Sequence, residues 1–422
     1  MWYSLSLSIL YDRFMNDEIH ALVLKEFPKM ETQNDLLNLL NRIKRILCDN
    51  EKCSPLTLRS LNYYKNIQAS RDKRYRSFTI KKKSGKLRTI HAPMAGLKIF
   101  QTCLNEIFQT YYEPNKAVCG FVIGRSIVDG ARYHVDKKFV LNIDLKDFFD
   151  SIEFYRIKSM FTYPPFNLKD KKNNGQSLPF VIANLCCNPK KVIRLGNNGN
   201  ETVVTRSVLP QGAPTSPVLT NLICRQLDKR LYGLAKRFRA TYTRYADDIT
   251  FSSNKNIFQE NSEFRKELKR IVEDQKFRIN EEKTHVQSKK YRQEVTGLVV
   301  NKKLNVTKRY VKQLRMWLYL WEHYGYDKAY SYFLSDYLKD KGYIKPTSPI
   351  MENVIGGKLD YYRMVVGENN SSYQNLKSRF EKLMNKNDSS ISMNKKSTSD
   401  NKIDNVNSND IVTILQYLID RL

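Results

Sequence analysis

Thr241-Tyr-Thr-Arg-Tyr245-Ala246-Asp247-Asp248-Ile-Thr-Phe-Ser252 is two strand-like runs joined by a tight turn that carries two adjacent carboxylates. The pattern is that of a β-hairpin with the acids at its tip. A solvated surface turn would also tolerate such a pair. Tyr245 before it and the alternating Ile249 and Phe251 after it argue instead for a hairpin packed in a core. Carboxylates held there repel one another, and cations are the natural remedy.

Working upstream, Phe139-Val-Leu-Asn-Ile-Asp144-Leu-Lys-Asp147-Phe-Phe149 delivers Asp144 at the end of a hydrophobic strand. Asp144 is a candidate ligand of a hard divalent cation such as Mg²⁺ or a cap of the next helix. Asp147 is read as the cap. Beside Asp247 and Asp248, Asp144 would complete a three-carboxylate centre. Two Mg²⁺ ions about 4 Å apart would neutralise it and support in-line phosphoryl displacement.

Between these segments lies Leu209-Pro-Gln211-Gly212-Ala-Pro214-Thr-Ser216-Pro217. Its glycine and prolines make a rigid turn that presents backbone and the Gln211 amide to a ligand, or a plain helix entry. Ser216 reads as N-cap and Pro217 as the first helical residue of a long amphipathic helix through Leu234.

The flanks are basic. From Arg71 to Lys98 ten Lys or Arg face the single acid Asp72, and the pattern gives a hairpin with strands Tyr75–Ile80 and Leu87–Ile90. Thr307 is placed to cap a helix with Val311, Leu314, Leu318 and Trp321 on one face and Lys308, Lys312 and Arg315 on another. Residues 1–70 read as a helical extension. Of the 25 residues from Asn385 to Asn409, 13 are Asn or Ser, which reads as a flexible linker, and 410–422 as a short amphipathic helix. That last helix would dock on a partner protein or a second copy, or fold back on the core.

The whole chain, 422 residues with 72 Lys+Arg against 43 Asp+Glu, carries a formal charge of +29. A hydrophobic fraction of 41% excludes a disordered basic tail, so the charge points to a polyanionic partner. Nucleic acid is preferred over membrane, because no apolar run approaches the roughly 20 residues of a spanning helix. Seven cysteines without a C-x-x-C pair fit buried thiols in a reducing cytoplasm rather than a zinc ribbon or disulfide framework.

In order and spacing, the Asp144 strand, the Gln211-Gly212 turn and Tyr245-Ala246-Asp247-Asp248 resemble the reverse transcriptases, whose Y-x-D-D box the last one matches. Three further segments resemble the bacterial retron-type branch: Tyr75–Gln101 its fingers motif, Gly120-Phe-Val-Ile-Gly-Arg125-Ser-Ile127 the segment before its first catalytic strand, and Val295-Thr296-Gly297 its V-T-G motif. Its N-A-x-x-H motif stands here as Gly130-Ala131-Arg-Tyr-His134, without the Asn.

The resemblance covers about residues 60–380. It implies an α+β right-hand polymerase fold, with fingers at 71–138, a palm of antiparallel sheet and helices at 139–306 (including a fingers insertion at about 153–208), and a helical thumb at 307–384. Asp144, Asp247 and Asp248 would bind two Mg²⁺ ions. Arg88, with Lys83 or Lys86, would meet the nucleotide triphosphate, Gln211 and Gly212 would line the nucleotide pocket, and Lys283 would stand near the leaving pyrophosphate. Phe149 would lie under the sugar and select deoxynucleotides, or serve as a core residue. Thr296 and Gly297 would support the primer end, and Lys308, Lys312 and Arg315 an RNA/DNA hybrid. Ile355-Gly356-Gly357-Lys358-Leu359 resembles thumb sequence or marks a turn between helices.

The function implied is an RNA-directed DNA polymerase that copies a cognate noncoding RNA using dNTPs, in antiphage defence; retron priming uses a guanosine 2′-hydroxyl of that RNA. Rival readings are another defence-associated reverse transcriptase with a different template or priming, and a non-catalytic RNA-binding scaffold.

Overall fold

Apolar spacing sets the N-terminal half. The computed structural model describes residues 17–48, 54–70, 73–81, 85, 87–170, 176–195, 200–341 and 348–394. Helices α1 (17–26), α2 (Gln33–Cys48), α3 (Leu58–Lys65) and α4 (Ile67–Ser70) are followed by the hairpin β1 (Tyr75–Lys81) and β2 (Leu87–Pro93). Leu36, Leu39, Leu40 and Ile43 lie on one face of α2, and it packs against α5 (Ala95–Tyr111), which buries Leu97, Phe100, Leu104 and Phe108. Each such side chain contributes about 1.5–3 kcal/mol on leaving water.

The short helix α6 (Ile127–Arg132) leads into β3 (Phe139–Asp144). Beyond β3 come α7 (Phe154–Met160), α8 (Leu178–Cys186), the hairpin β4 (Asn188–Leu195) and β5 (Glu201–Val208), and then α9 (Ser216–Ile223) and α10 (Arg225–Arg237). Strands β6 (Thr241–Tyr245) and β7 (Asp248–Ser253), helix α11 (Glu263–Asp274) and strand β8 (His285–Ser288) complete the central unit. The antiparallel sheet has the order β6-β7-β3-β8. Asp144 pairs with Asp248, Asn142 with Thr250 and Val140 with Ser252, so both aspartates fall on one face of neighbouring strands. On the other face Leu141, Ile143, Ile249 and Phe251 join a core with the buried sides of α10 and α11.

A small hairpin, β9 (Glu294–Val295) and β10 (Leu298–Val299), precedes four helices, α12 (Lys308–Tyr324), α13 (Tyr326–Lys341), α14 (Met351–Val366) and α15 (Ser371–Asn394). Trp317, Trp321, Phe333, Ile355 and Leu376 form their shared core. Thr307 caps α12 as expected, accepting from the Tyr310 N–H. Among the described residues no helix is long and apolar enough to cross a membrane; Cys103, Cys119, Cys186, Cys187 and Cys224 are buried as expected, whereas Cys48, the last residue of α2, is exposed.

Several local expectations need correction. Thr215, not Ser216, holds the N-cap of α9; the Ser216 hydroxyl turns back to the Pro210 carbonyl at 2.6 Å. The long leucine-rich helix breaks at Cys224 into α9 and α10. Asp147 caps nothing: α7 begins only at Phe154 behind Glu153, and Asp147 sits in a turn at φ +50°. Gly356 and Gly357 lie inside α14, and α15 runs to Asn394, into the stretch read as linker. Lys83, Lys86 and the 410–422 helix lie outside the described residues.

Candidate active site

The turn between β6 and β7 is tight, because Tyr245 already pairs with Asp248 and only Ala246 and Asp247 lie between. Ala246 sits at φ +57°, a conformation that strains an L side chain and is ordinarily left to glycine. Two neighbours hold it. Arg244 donates from Nη1 to the Ala246 carbonyl at 3.1 Å. Gly120 passes so close that a Cβ there would stand 2.4 Å from the Ala246 nitrogen. The chain at 117–120 is itself stitched to β6, with Arg244 N–H donating to the Ala117 carbonyl at 2.8 Å and Cys119 N–H to the Arg244 carbonyl at 2.9 Å.

Arg244 is fully buried. Its Nε and Nη2 each meet one oxygen of Asp228 on α10 at 2.7 Å, Tyr242 adds its hydroxyl to the same carboxylate at 2.7 Å, and Nη2 reaches the Asn221 amide oxygen at 3.2 Å. Asn221 in turn donates to the Gly120 carbonyl at 3.0 Å. One hydrogen-bonded unit thus ties α9, α10 and the 117–120 segment to the acidic turn.

Asp144 is fixed from the opposite side. Residues 278–280 run beside it, with Asn280 N–H donating to the Asp144 carbonyl at 2.8 Å. Asn280 Nδ2 donates to Oδ2 at 3.0 Å and Lys283 Nζ to Oδ1 at 2.6 Å. Asp247 is tied to the residue after Asp144, its carbonyl accepting from Leu145 N–H at 3.1 Å.

The three carboxylates crowd one another. Partial removal from water, then the charges of Asp247 and Asp144, push the Asp248 carboxyl up to about 6, with Lys283 opposing. Asp247 is raised by the same desolvation and by Asp144, while its own N–H, Lys283 and Arg88 hold it down. Burial is thus the leading cause of both shifts, and the mutual repulsion of the carboxylates adds to it. The donors are all carboxylate oxygens, the set a hard divalent cation takes. Among the described residues no three His, Cys, Asp or Glu side chains are grouped as they would be around a bound metal ion, and both Asp144 oxygens are engaged by Lys283 and Asn280.

Two clefts meet at Asp144 and Lys283. The first, about 730 Å³, is walled by Arg88, Phe149, Lys190, Gln211, Asp247 and Asn280 among others. Phe149 is half-buried against Phe148 and Phe121, with ring centroids at 5.5 and 6.3 Å. Arg88 reaches the cleft because β2 is joined to the 210–213 turn: His91 N–H donates to the Gln211 carbonyl at 2.9 Å. Gly212, at φ +123°, permits that approach, since a Cβ there would lie 2.8 Å from the His91 carbonyl. It serves the joint and does not line the cleft. The second cleft, about 520 Å³, sets Asp248 and Tyr245 opposite Thr296 and Gly297, which form the β9–β10 turn at φ +48° and +82°.

Lys308, Lys312 and Arg315 line neither cleft and form an exposed stripe on α12, with Tyr319 continuing it. Sequence reasoning missed Arg244, Asp228, Asn280 and Lys190. A charged residue inside the otherwise buried β6 was the signal for the first; the others had none that spacing could reveal.

His134 is also fully buried, its Nδ1 2.7 Å from Ser252 Oγ and its Nε2 2.7 Å from Thr243 Oγ1, bracing the face of the sheet that bears Asp248. Burial drives its imidazole down to about 3. Gly130 lies beside this bridge, where a Cβ would meet Cys119 Sγ at 3.4 Å and Thr243 Oγ1 at 3.8 Å, ordinary packing distances.

Residues 80–306 match the family model described as reverse transcriptase (RNA-dependent DNA polymerase). Among curated proteins, the chain is 36% identical over 250 residues to the Retron Mx65 reverse transcriptase of Myxococcus xanthus, covering 59% of this chain and 56% of that one. It is 37% identical to the Retron Mx162 reverse transcriptase of the same organism, over 54% of this chain and 47% of the other. Identity to the Retron Ec86 reverse transcriptase of Escherichia coli is 32%, over 61% and 72%. The chain thus spans about half the length of the first two. With more than half of its length matched by the family model, the chain belongs to the reverse transcriptase family, in its retron-type branch.

Proposed function

We propose that this protein is an RNA-directed DNA polymerase that copies a cognate noncoding RNA into DNA and acts in antiphage defence within the cell. The observation that carries the reading is the register of Asp144 against Asp248 on adjacent strands, with Asp247 in the turn between β6 and β7. In this reading the β1–β2 hairpin and the helices around it are fingers, the four-stranded sheet with its helices is the palm, and α12–α15 are the thumb.

Asp144, Asp247 and Asp248 would hold two Mg²⁺ ions, which when bound activate a primer hydroxyl and neutralise charge on the departing pyrophosphate. Lys283 yields its place on Asp144 and donates a proton near the leaving group. Arg88 and Lys190 act as charge-assisted donors to the triphosphate of a dNTP. The Phe149 ring closes the floor where a ribose 2′-hydroxyl would sit, and Gln211 holds the nucleotide edge of the cleft. Thr296 and Gly297 support the primer terminus across from Asp248. Lys308, Lys312 and Arg315 grip the backbone of an RNA/DNA hybrid by charge and shape.

The test is Mg²⁺-dependent dNTP incorporation on a primed RNA template by the wild type and by Asp247→Ala with Asp248→Ala. Loss of incorporation with RNA binding retained is expected. Equal incorporation by both proteins would overturn the proposal. Sequencing the nucleic acid that co-purifies with the protein distinguishes a branched RNA–DNA with one fixed template, expected of a retron, from unbranched DNA made by another defence-associated enzyme.

A further inference from the structure

A third groove, about 860 Å³, shares no residue with the two clefts at Asp144. One wall is α7 and the turn after it, which present Tyr155 and Tyr163; the other is the start of α10, which presents Arg225 and Lys229. Met160, Leu222 and Ile223 supply apolar floor between them. Tyr155 is 76% and Tyr163 64% exposed, an unusual degree for large rings on adjoining elements.

The charges on α10 are divided by face. Arg230 and Arg237, on the side of α11, are neutralised by its Asp274 and Glu263. Arg225 and Lys229, one turn apart on the groove side, form no ion pair among the described residues, and no residue lining the groove is acidic. Tyr232, 53% exposed, and Lys236 extend the same helical stripe. Unneutralised cations interleaved with exposed rings over an apolar floor are what unpaired nucleic acid requires: faces for bases and charge for phosphates. A peptide partner would need no such uniform sign, and paired helical RNA would bury its bases out of reach of the rings.

We propose that this groove is a second RNA site, which holds an unpaired segment of the retained RNA while the clefts at Asp144 hold the primer and template. Tyr155 and Tyr163 stack on bases, and Arg225 and Lys229 take the flanking phosphates. The proposal rests on reading the chain as an RNA-copying enzyme that keeps its RNA.

The test uses the full chain preloaded with poly(rA)·oligo(dT), which occupies the catalytic clefts, and a labelled oligocytidine of about 12 nucleotides that pairs with neither strand. Tyr155→Ala with Tyr163→Ala is expected to weaken oligocytidine binding by about tenfold or more, with extension of oligo(dT) and the melting temperature unchanged. Arg225→Gln with Lys229→Gln is expected to reduce the slope of log affinity against log salt by about 1.4, from about 0.7 per phosphate contact on a single strand. Photocrosslinks from the bound oligonucleotide should fall on Tyr155 or Tyr163. Unchanged oligocytidine affinity in both variants, or crosslinks confined to other surfaces, would overturn the proposal and leave the groove to a protein partner. A wild type that binds oligocytidine through these residues yet fails to extend oligo(dT) would refute the polymerase reading and leave the RNA groove standing.

Discussion

Arg244 and Asp228 form a two-bond fork sealed inside the protein, both contacts at 2.7 Å, and the guanidinium nitrogen left over holds the Ala246 carbonyl at the acidic turn. The pair therefore transmits the position of α10 to Asp247 and Asp248. Removing one partner leaves the other charged and buried without compensation, which costs about 3–5 kcal/mol.

Asp228→Asn is accordingly expected to lower stability by that order and dNTP incorporation with it. Arg244→Lys keeps a charge but loses the fork and the Ala246 contact. For Arg244→Lys, denaturant titration and incorporation assayed well below the melting temperature should show activity falling further than the folded fraction. Activity that simply tracks the folded fraction would refute the positioning role.

Gly120→Ala places a methyl against backbone that cannot rotate away, 2.4 Å from the Ala246 nitrogen. The acidic turn must shift by an amount that matters for catalysis, where a 1 Å misplacement can cost about 100-fold. A loss of kcat of that order with retained RNA binding is expected. Near-wild-type kcat would mean that the 117–120 segment moves instead.

Lys283 holds Asp144 Oδ1 at 2.6 Å, the oxygen a cation would need. Lys283→Met removes a competitor for that oxygen and, under the proposed function, the proton donor for the leaving group. The expected result is half-saturation at lower Mg²⁺ together with a kcat reduced about 100- to 10,000-fold. Mg²⁺ titration of incorporation reads both quantities; an unchanged Mg²⁺ requirement would show that the ion pair does not guard the site.

His134 gives a stability signature in acid. Its pKa is lowered from the ordinary 6.5 to about 3 by burial and, less, by Lys137, so between those values the unfolded chain binds a proton that the folded chain refuses. Its contribution is complete above pH 6.5 and is lost as pH falls toward 3, at about 1.4 kcal/mol per pH unit within that window. Denaturant titrations from pH 7 to pH 5 should show a shallower loss in His134→Gln than in the wild type. Parallel curves would place the imidazole in contact with water.

The β6–β7 hairpin, the basic β1–β2 hairpin and the Thr307-capped helix were legible because each depends on residues close in sequence: alternation, turn chemistry and a cap are local properties. The helix boundaries read less well. Ser216 lost the N-cap to Thr215 because its hydroxyl found a carbonyl at Pro210, and α9 ended at Cys224 although the leucine spacing continued past it. Asp147 looked like a helix cap only because the turn that separates it from Phe154 leaves no mark in residue spacing.

From the linear chain alone followed the choice of the three carboxylates as candidates, their order, and the expectation of a polyanionic partner, since charge type and hydrophobic period are written residue by residue. Tertiary structure decided their surroundings: which aspartate faces which cleft, that Lys283 and Asn280 share Asp144, that Arg244 and Asp228 support the turn, and that Gly212 serves a joint and not a wall. Those contacts join residues up to 139 positions apart, and only the register of packed strands and the close approach of backbones bring them within a hydrogen bond. The +29 charge was divided in the same way, because which arginines on α10 are neutralised depends on α11 lying beside one of its faces.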